Sequence, residues 1–197
     1  KDNIKGLFLK YLVPSLLAAA AISLFQLVDM IAIGQGVGAD GVAALSIVTP
    51  LFGFSSFLGL FIGIGGAVPM GIAEGERNKE KYNANFTLSM VLITLLTVIS
   101  WAVFLIFSEP IYRFFGAMDS LMPLVKEYGG WLIGCLPALI LSIYMACIVR
   151  ADGSPNITIW AVLISGVFNI VGDYLLVFPF KVGTGMAGAA IATVLSN

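Results

Sequence analysis

Apolar positions along this chain come in long blocks, with no short alternation between apolar and charged residues. Stretches free of Asp, Glu, Lys and Arg cover 11–28, 41–73, 82–108, 128–149, 153–172 and 182–197. About 20 helical residues, rising about 1.5 Å each, cross an apolar layer of about 30 Å. The blocks predict helices near 7–34, 44–73, 84–108, 124–149, 156–178 and 185–197, joined by short charged turns. The 41–73 block has 33 residues, more than one crossing needs. Its first part, with Thr49-Pro50, reads either as an interfacial turn or as the start of a tilted helix. The last block has only 16 residues. It predicts a sixth helix that stops short at the chain's end, in a sequence that naturally continues.

Composition agrees with a lipid environment. Of 197 residues, 59% are hydrophobic and 11% charged, against about 25% charged in soluble domains. The expected class is therefore all-α integral membrane protein, a bundle of six transmembrane helices. The net charge of −1 gives no footprint for nucleic acid. The chain has no histidine, which disfavours most acid–base catalysis and histidine-ligated metals. No nucleotide loop, nucleophile motif or metal spacing occurs, so no enzyme and no cofactor is expected. Cys135 and Cys147 fall in one apolar block, about 18 Å apart along a helix, too far to pair. Gly59/Gly63 and Gly130/Gly134 form GxxxG pairs and predict close helix packing.

Basic residues set the expected orientation. With the N-terminus cytoplasmic, Lys1, Lys5, Lys10, Arg77, Lys79, Lys81 and Arg150 lie inside, and Arg113, Lys126 and Lys181 outside. That excess matches the positive-inside rule for a multi-pass protein of the cell membrane.

Two acids stand apart from the charged turns. Asp29 follows eighteen uncharged residues and Asp173 follows twenty. A charge at mid-bilayer costs about 2.5–3.5 kcal/mol on insertion scales, so such residues are functional candidates by default. Asp29 stands about 28 Å along its helix from Lys10, and Asp173 about 27 Å from Pro155. The two helices run in the same direction, so both acids reach one depth in the outer half. Gln26 precedes Asp29 by three residues and Asn169 precedes Asp173 by four, spacings that bring side chains together on a helix. Gln26, Asp29, Asn169 and Asp173 thus read as one oxygen-rich cluster, suited to a proton or sodium ion rather than a transition metal. The plainer alternative places both acids at helix ends, near Gly34 and Pro179. Pro14 lies about four turns before Asp29 on the same helix, and is a candidate hinge that bends when the cluster changes protonation.

Several ordered motifs now come together. They are Leu12-Val13-Pro14 with Phe25-Gln26-Leu27-Val28-Asp29, Gly41-Val42-Ala43-Ala44-Leu45 leading to Thr49-Pro50, and Arg150-Ala151-Asp152-Gly153. Phe168-Asn169-Ile170-Val171-Gly172-Asp173 and Gly188-Ala189-Ala190-Ile191-Ala192-Thr193 complete the series. In this order the chain resembles the N-terminal lobe of the multidrug and toxic compound extrusion (MATE) family along its whole length. The resemblance implies one lobe of a twelve-helix, two-lobe transporter, with a second six-helix lobe as partner. It implies export of amphipathic, often cationic, small molecules coupled to proton or sodium entry, in contact with membrane lipids. It also implies that Asp29, Asn169 and Asp173 form a cation-coupling site, with Thr193 as a further member.

Two other functions share this architecture. A flippase for lipid-linked glycans would be expected to face a pyrophosphate with basic residues, and no Lys or Arg lies mid-span. A non-transporting membrane lobe that needs a partner would fit the shortened sixth helix.

Overall fold

The computed structural model describes residues 4–153, 155–177 and 185–196. Six helices account for nearly all of them: α1 (Ile4–Gly36), α2 (Ala39–Gly75), α3 (Lys79–Phe114), α4 (Met122–Ala151), α5 (Pro155–Leu176) and α6 (Gly185–Ser196). No strand occurs among the described residues. In lipid the backbone must satisfy its own polar groups, and a helix does so within one segment. Among the described residues, α2, α3 and α4 are long and apolar enough to cross a membrane, and α5 and α6 supply shorter apolar helices. Large apolar side chains such as Phe57, Phe61, Leu95, Ile106 and Trp160 point outward, as they do when lipid is the outer solvent.

α1 to α5 each extend beyond their uncharged blocks, and α6 lies within its own. α2 is one continuous helix from Ala39, so no turn interrupts it at Thr49-Pro50. Pro50 withholds one N–H from the ladder, and a helix in a membrane tolerates that loss. α3 passes its predicted end at 108 and continues to Phe114 across a kink at Phe107 (φ −109°, ψ 23°). Pro110 causes the kink, since its ring displaces the carbonyl four residues earlier. The final turn is held by the i,i+4 pair Arg113–Glu109 at 3.2 Å.

The turns use local chemistry. Gly38, at φ 96°, takes the left-handed conformation that reverses the chain between α1 and α2. Between α2 and α3 Arg77 adopts φ 54°, and the Asn78 side chain caps α3 by accepting from Lys81 N at 3.0 Å. Across the bundle, the Tyr82 hydroxyl donates to Asp152 Oδ1 at 2.9 Å, tying the start of α3 to the α4–α5 turn.

The helices form two groups of three. α2, α3 and α4 pack on one another, α5 packs on α1 and α6, and α4 against α6 is the main seam between the groups. Glycines set the closest approaches. A Cβ at Gly59 would stand 2.7 Å from Ile143 Cβ, and one at Gly63 would stand 2.8 Å from Cys147 Cβ, so this GxxxG packs α2 on α4. The second expected pair does not pack. Gly130 and Gly134 are exposed, with open space where a Cβ would be. On α4 it is Gly129 that takes a close neighbour, the Tyr112 ring of α3. Both cysteines are free on α4, Cys147 buried and Cys135 partly buried.

Candidate cation site

α1 and α5 lie side by side and meet three times. Phe25 packs over Gly166, which has no Cβ to obstruct the ring. Near the other end Val177 packs against Gly36. Between these contacts, Asp29 and Asp173 face each other as directly interacting carboxyls. Asp29 lies inside α1, seven residues before its end at Gly36, whereas Asp173 stands in the last turn of α5, which ends at Leu176, so the helix-end alternative falls for Asp29 and holds for the position of Asp173. Asp173 is 1% exposed.

As two carboxylates the pair has no proton to share. Asp29 Oδ1 and both oxygens of Asp173 are buried without a hydrogen-bond partner. Unpaired buried acceptors of like charge are costly, and a proton or metal cation between them relieves both the repulsion and the missing bonds.

Two further helices close the site. On α6, Thr193 Oγ1 donates to Ala189 O at 3.0 Å and accepts from Asn169 Nδ2 at 3.5 Å. Asn169 is itself buried. On α4, the fully buried Tyr128 directs its hydroxyl toward Thr193 and lies within electrostatic reach of both aspartates. That hydroxyl has no hydrogen-bond partner. Asp29, Asp173, Asn169, Thr193 and Tyr128 thus gather oxygen atoms from α1, α4, α5 and α6 at the seam between the two groups. All five are hard ligands or proton acceptors.

Of the residues singled out from sequence, Asp29, Asn169, Asp173 and Thr193 come together here. Gln26 is exposed on α1. Pro14 is within α1, with its side chain outside the described residues. Tyr128 escaped the sequence reading because tyrosine in an apolar block looks like core. Among the described residues no group of three His, Cys, Asp or Glu side chains could hold a metal. A separate groove of about 370 Å³ lies between α2 and α3, lined by Pro50, Phe54, Phe104 and Pro110 among others. It is wholly apolar and shares no residue with the cluster.

Fold and site define a polytopic membrane protein with two facing aspartates, Asp173 buried and Asp29 partly buried. The family model MatE matches residues 14–175, and the chain belongs to that family. The probable multidrug resistance protein YoeA of Bacillus subtilis (strain 168) is 31% identical over 95% of this chain and 41% of its own length. The FAD transporter of Shewanella oneidensis is 29% identical over 93% of this chain and 41% of its own. A crystal structure of MATE in the bent conformation superposes with a TM-score of 0.84 at 26% identity, covering 93% of this chain and 40% of that one. The chain therefore spans about two fifths of the relatives it matches, the size of one six-helix lobe.

Proposed function

We propose that this chain is the cation-coupling lobe of a secondary antiporter of the cell membrane. The antiporter exports amphipathic or cationic drugs or metabolites against proton or sodium influx. The facing Asp29–Asp173 pair, ringed by Asn169, Thr193 and Tyr128, carries this reading. A second six-helix lobe completes the transport path, and the N-terminus is cytoplasmic. The names of relatives support transport but not one substrate class, since one is a multidrug resistance protein and another an FAD transporter.

The coupling logic follows from charge. With one proton or sodium ion bound, one of the two negative charges is offset and the like-charge repulsion is relieved. Release of the cation leaves negative charge, which favours either reloading or capture of a cationic substrate. Mutual exclusion at one site exchanges the two. Pro14, four turns from Asp29 on α1, is the proposed hinge by which loading is transmitted.

The test is made in the intact transporter reconstituted in liposomes. Asp29→Asn and Asp173→Asn keep shape but not charge, and each is expected to abolish cation-driven efflux while expression stays normal. Efflux at the wild-type rate in both variants under the same gradient places the coupling site elsewhere.

A further inference from the structure

We propose that Glu127 is a positioning residue for the cation site, holding α6 at the register that sets the Thr193 oxygen against Asn169 in the cluster. The proposal rests on the reading of that cluster as the coupling site.

Glu127 is exposed on α4, immediately before Tyr128. Its Oε1 accepts a hydrogen bond from Ala187 N, in the first turn of α6, at 3.3 Å. The first turn of a helix carries N–H groups with no partner inside the helix, and a carboxylate there also meets the favourable end of the helix dipole. Glu127 supplies an acceptor to α6 from another helix.

Beyond Met186 at its start, the packing face of α6 is built from small residues, and a tether there adds to its register. Met186 is buried in its first turn, and beyond it the buried residues are Gly188, Ala189, Ala190 and Ala192. A Cβ added at Gly172 on α5 would lie 2.7 Å from Ala192 Cβ, so the helices are in backbone-close contact. Small residues permit close approach but offer few knobs to resist sliding along the axis. A bond at the helix end does resist sliding.

Register matters because the Thr193 oxygen has little freedom of its own. Its hydroxyl is fastened to Ala189 O within α6. The acceptor side of that oxygen is turned to Asn169. Any axial shift or rotation of α6 therefore moves the oxygen directly. Thr193 lies six residues beyond Ala187, about 9 Å along the axis. Two consecutive α4 residues thus stand against α6 at two heights, Glu127 bonded at its start and Tyr128 beside Thr193.

The test uses the full-length transporter with two readouts. One is hydrogen–deuterium exchange of peptides across Gly185–Ser196. The other is the external cation concentration giving half-maximal efflux of ethidium, with sodium and pH gradients as separate arms. Glu127→Ala is expected to speed exchange in α6 alone. It is also expected to raise the half-maximal concentration of the coupling cation by about tenfold, as for loss of one charge-assisted hydrogen bond. Glu127→Gln retains an acceptor oxygen and is expected to stay within about twofold of wild type, as for a neutral hydrogen bond in the same place. Unchanged α6 exchange in Glu127→Ala overturns the proposal, as does Glu127→Gln falling together with Glu127→Ala. Asp29→Asn in the same assay separates the two ideas. Lost coupling there, beside a normal Glu127→Ala, overturns the proposal alone. Intact coupling in Asp29→Asn overturns the reading of the site and this proposal with it.

Discussion

Gly59 of α2 lies so close to Ile143 of α4 that an added Cβ would stand 2.7 Å from Ile143 Cβ and 3.0 Å from the Ile140 carbonyl oxygen. The second neighbour is backbone and cannot rotate away. Gly59→Ala is therefore expected to destabilise the bundle by about 1–3 kcal/mol, the range for an overpacked core. Gly130→Ala, facing open space, is expected to be neutral or to stabilise by about 0.5–1 kcal/mol through helix propensity. Thermal unfolding in detergent compares the two. A Gly59→Ala protein as stable as wild type would show that α2 and α4 can separate freely at this height.

These two glycines show what the amino-acid pattern can and cannot say. Gly59/Gly63 and Gly130/Gly134 have the same spacing, and only the first pair packs. Spacing places two small residues on one face of a helix. It does not say whether a neighbouring helix covers that face. Charge blocks located all six helices, because burying a charge in lipid is costly whatever the tertiary arrangement. The ends were less legible. α3 runs past Ser108 because Pro110 bends the helix without stopping it, and the Arg113–Glu109 pair supports the last turn.

A second prediction concerns the polar pin inside the α2–α3–α4 group. Tyr144, fully buried, shares a 2.8 Å hydrogen bond with Ser89, which packs where Gly66 leaves space. Ser89 also bonds Phe86 O at 3.0 Å. Tyr144→Phe therefore leaves Ser89 with a partner and is expected to cost about 0.5–1.5 kcal/mol. Tyr144→Ala opens a cavity and is expected to cost about 3–5 kcal/mol. Equal losses in the two variants, measured by thermal unfolding, would place the energy in the hydroxyl and contradict this division.

Much of the site was legible for the same reason as the spans. Asp29 and Asp173 are polar exceptions in apolar blocks, and similar distances from Lys10 and from Pro155 put them at one depth. The structure brings the carboxyls together and sets Asn169 and Thr193, both named from sequence, in contact with each other. Gln26, one helical turn from Asp29, is exposed on this lobe. Three residues of helix rotate a side chain by about 60° from the reference direction, enough to leave a narrow site. Tyr128 shows the opposite error, since nothing in an apolar sequence separates a core tyrosine from one whose hydroxyl faces a carboxylate.

The last prediction tests whether that hydroxyl belongs to the site. Tyr128 is fully buried, and its ring forms part of the hydrophobic core with Val125 and Leu132. Ring and hydroxyl can therefore be separated by mutation. Tyr128→Phe keeps the ring and removes an oxygen that has no hydrogen-bond partner in the fold. Removing an unsatisfied buried hydroxyl is expected to leave stability unchanged or slightly raised. If the hydroxyl helps to hold the coupling cation, the same variant is expected to need about tenfold more external cation for half-maximal efflux, the loss of one hydrogen bond to a charged species. Stability and coupling would then move independently. Tyr128→Leu, which removes the ring as well, is expected to lower both. A Tyr128→Phe protein with wild-type cation dependence confines Tyr128 to packing. A Tyr128→Phe protein that is markedly less stable would show that its hydroxyl is bonded within the fold, and the account of an open oxygen beside the aspartates would fail.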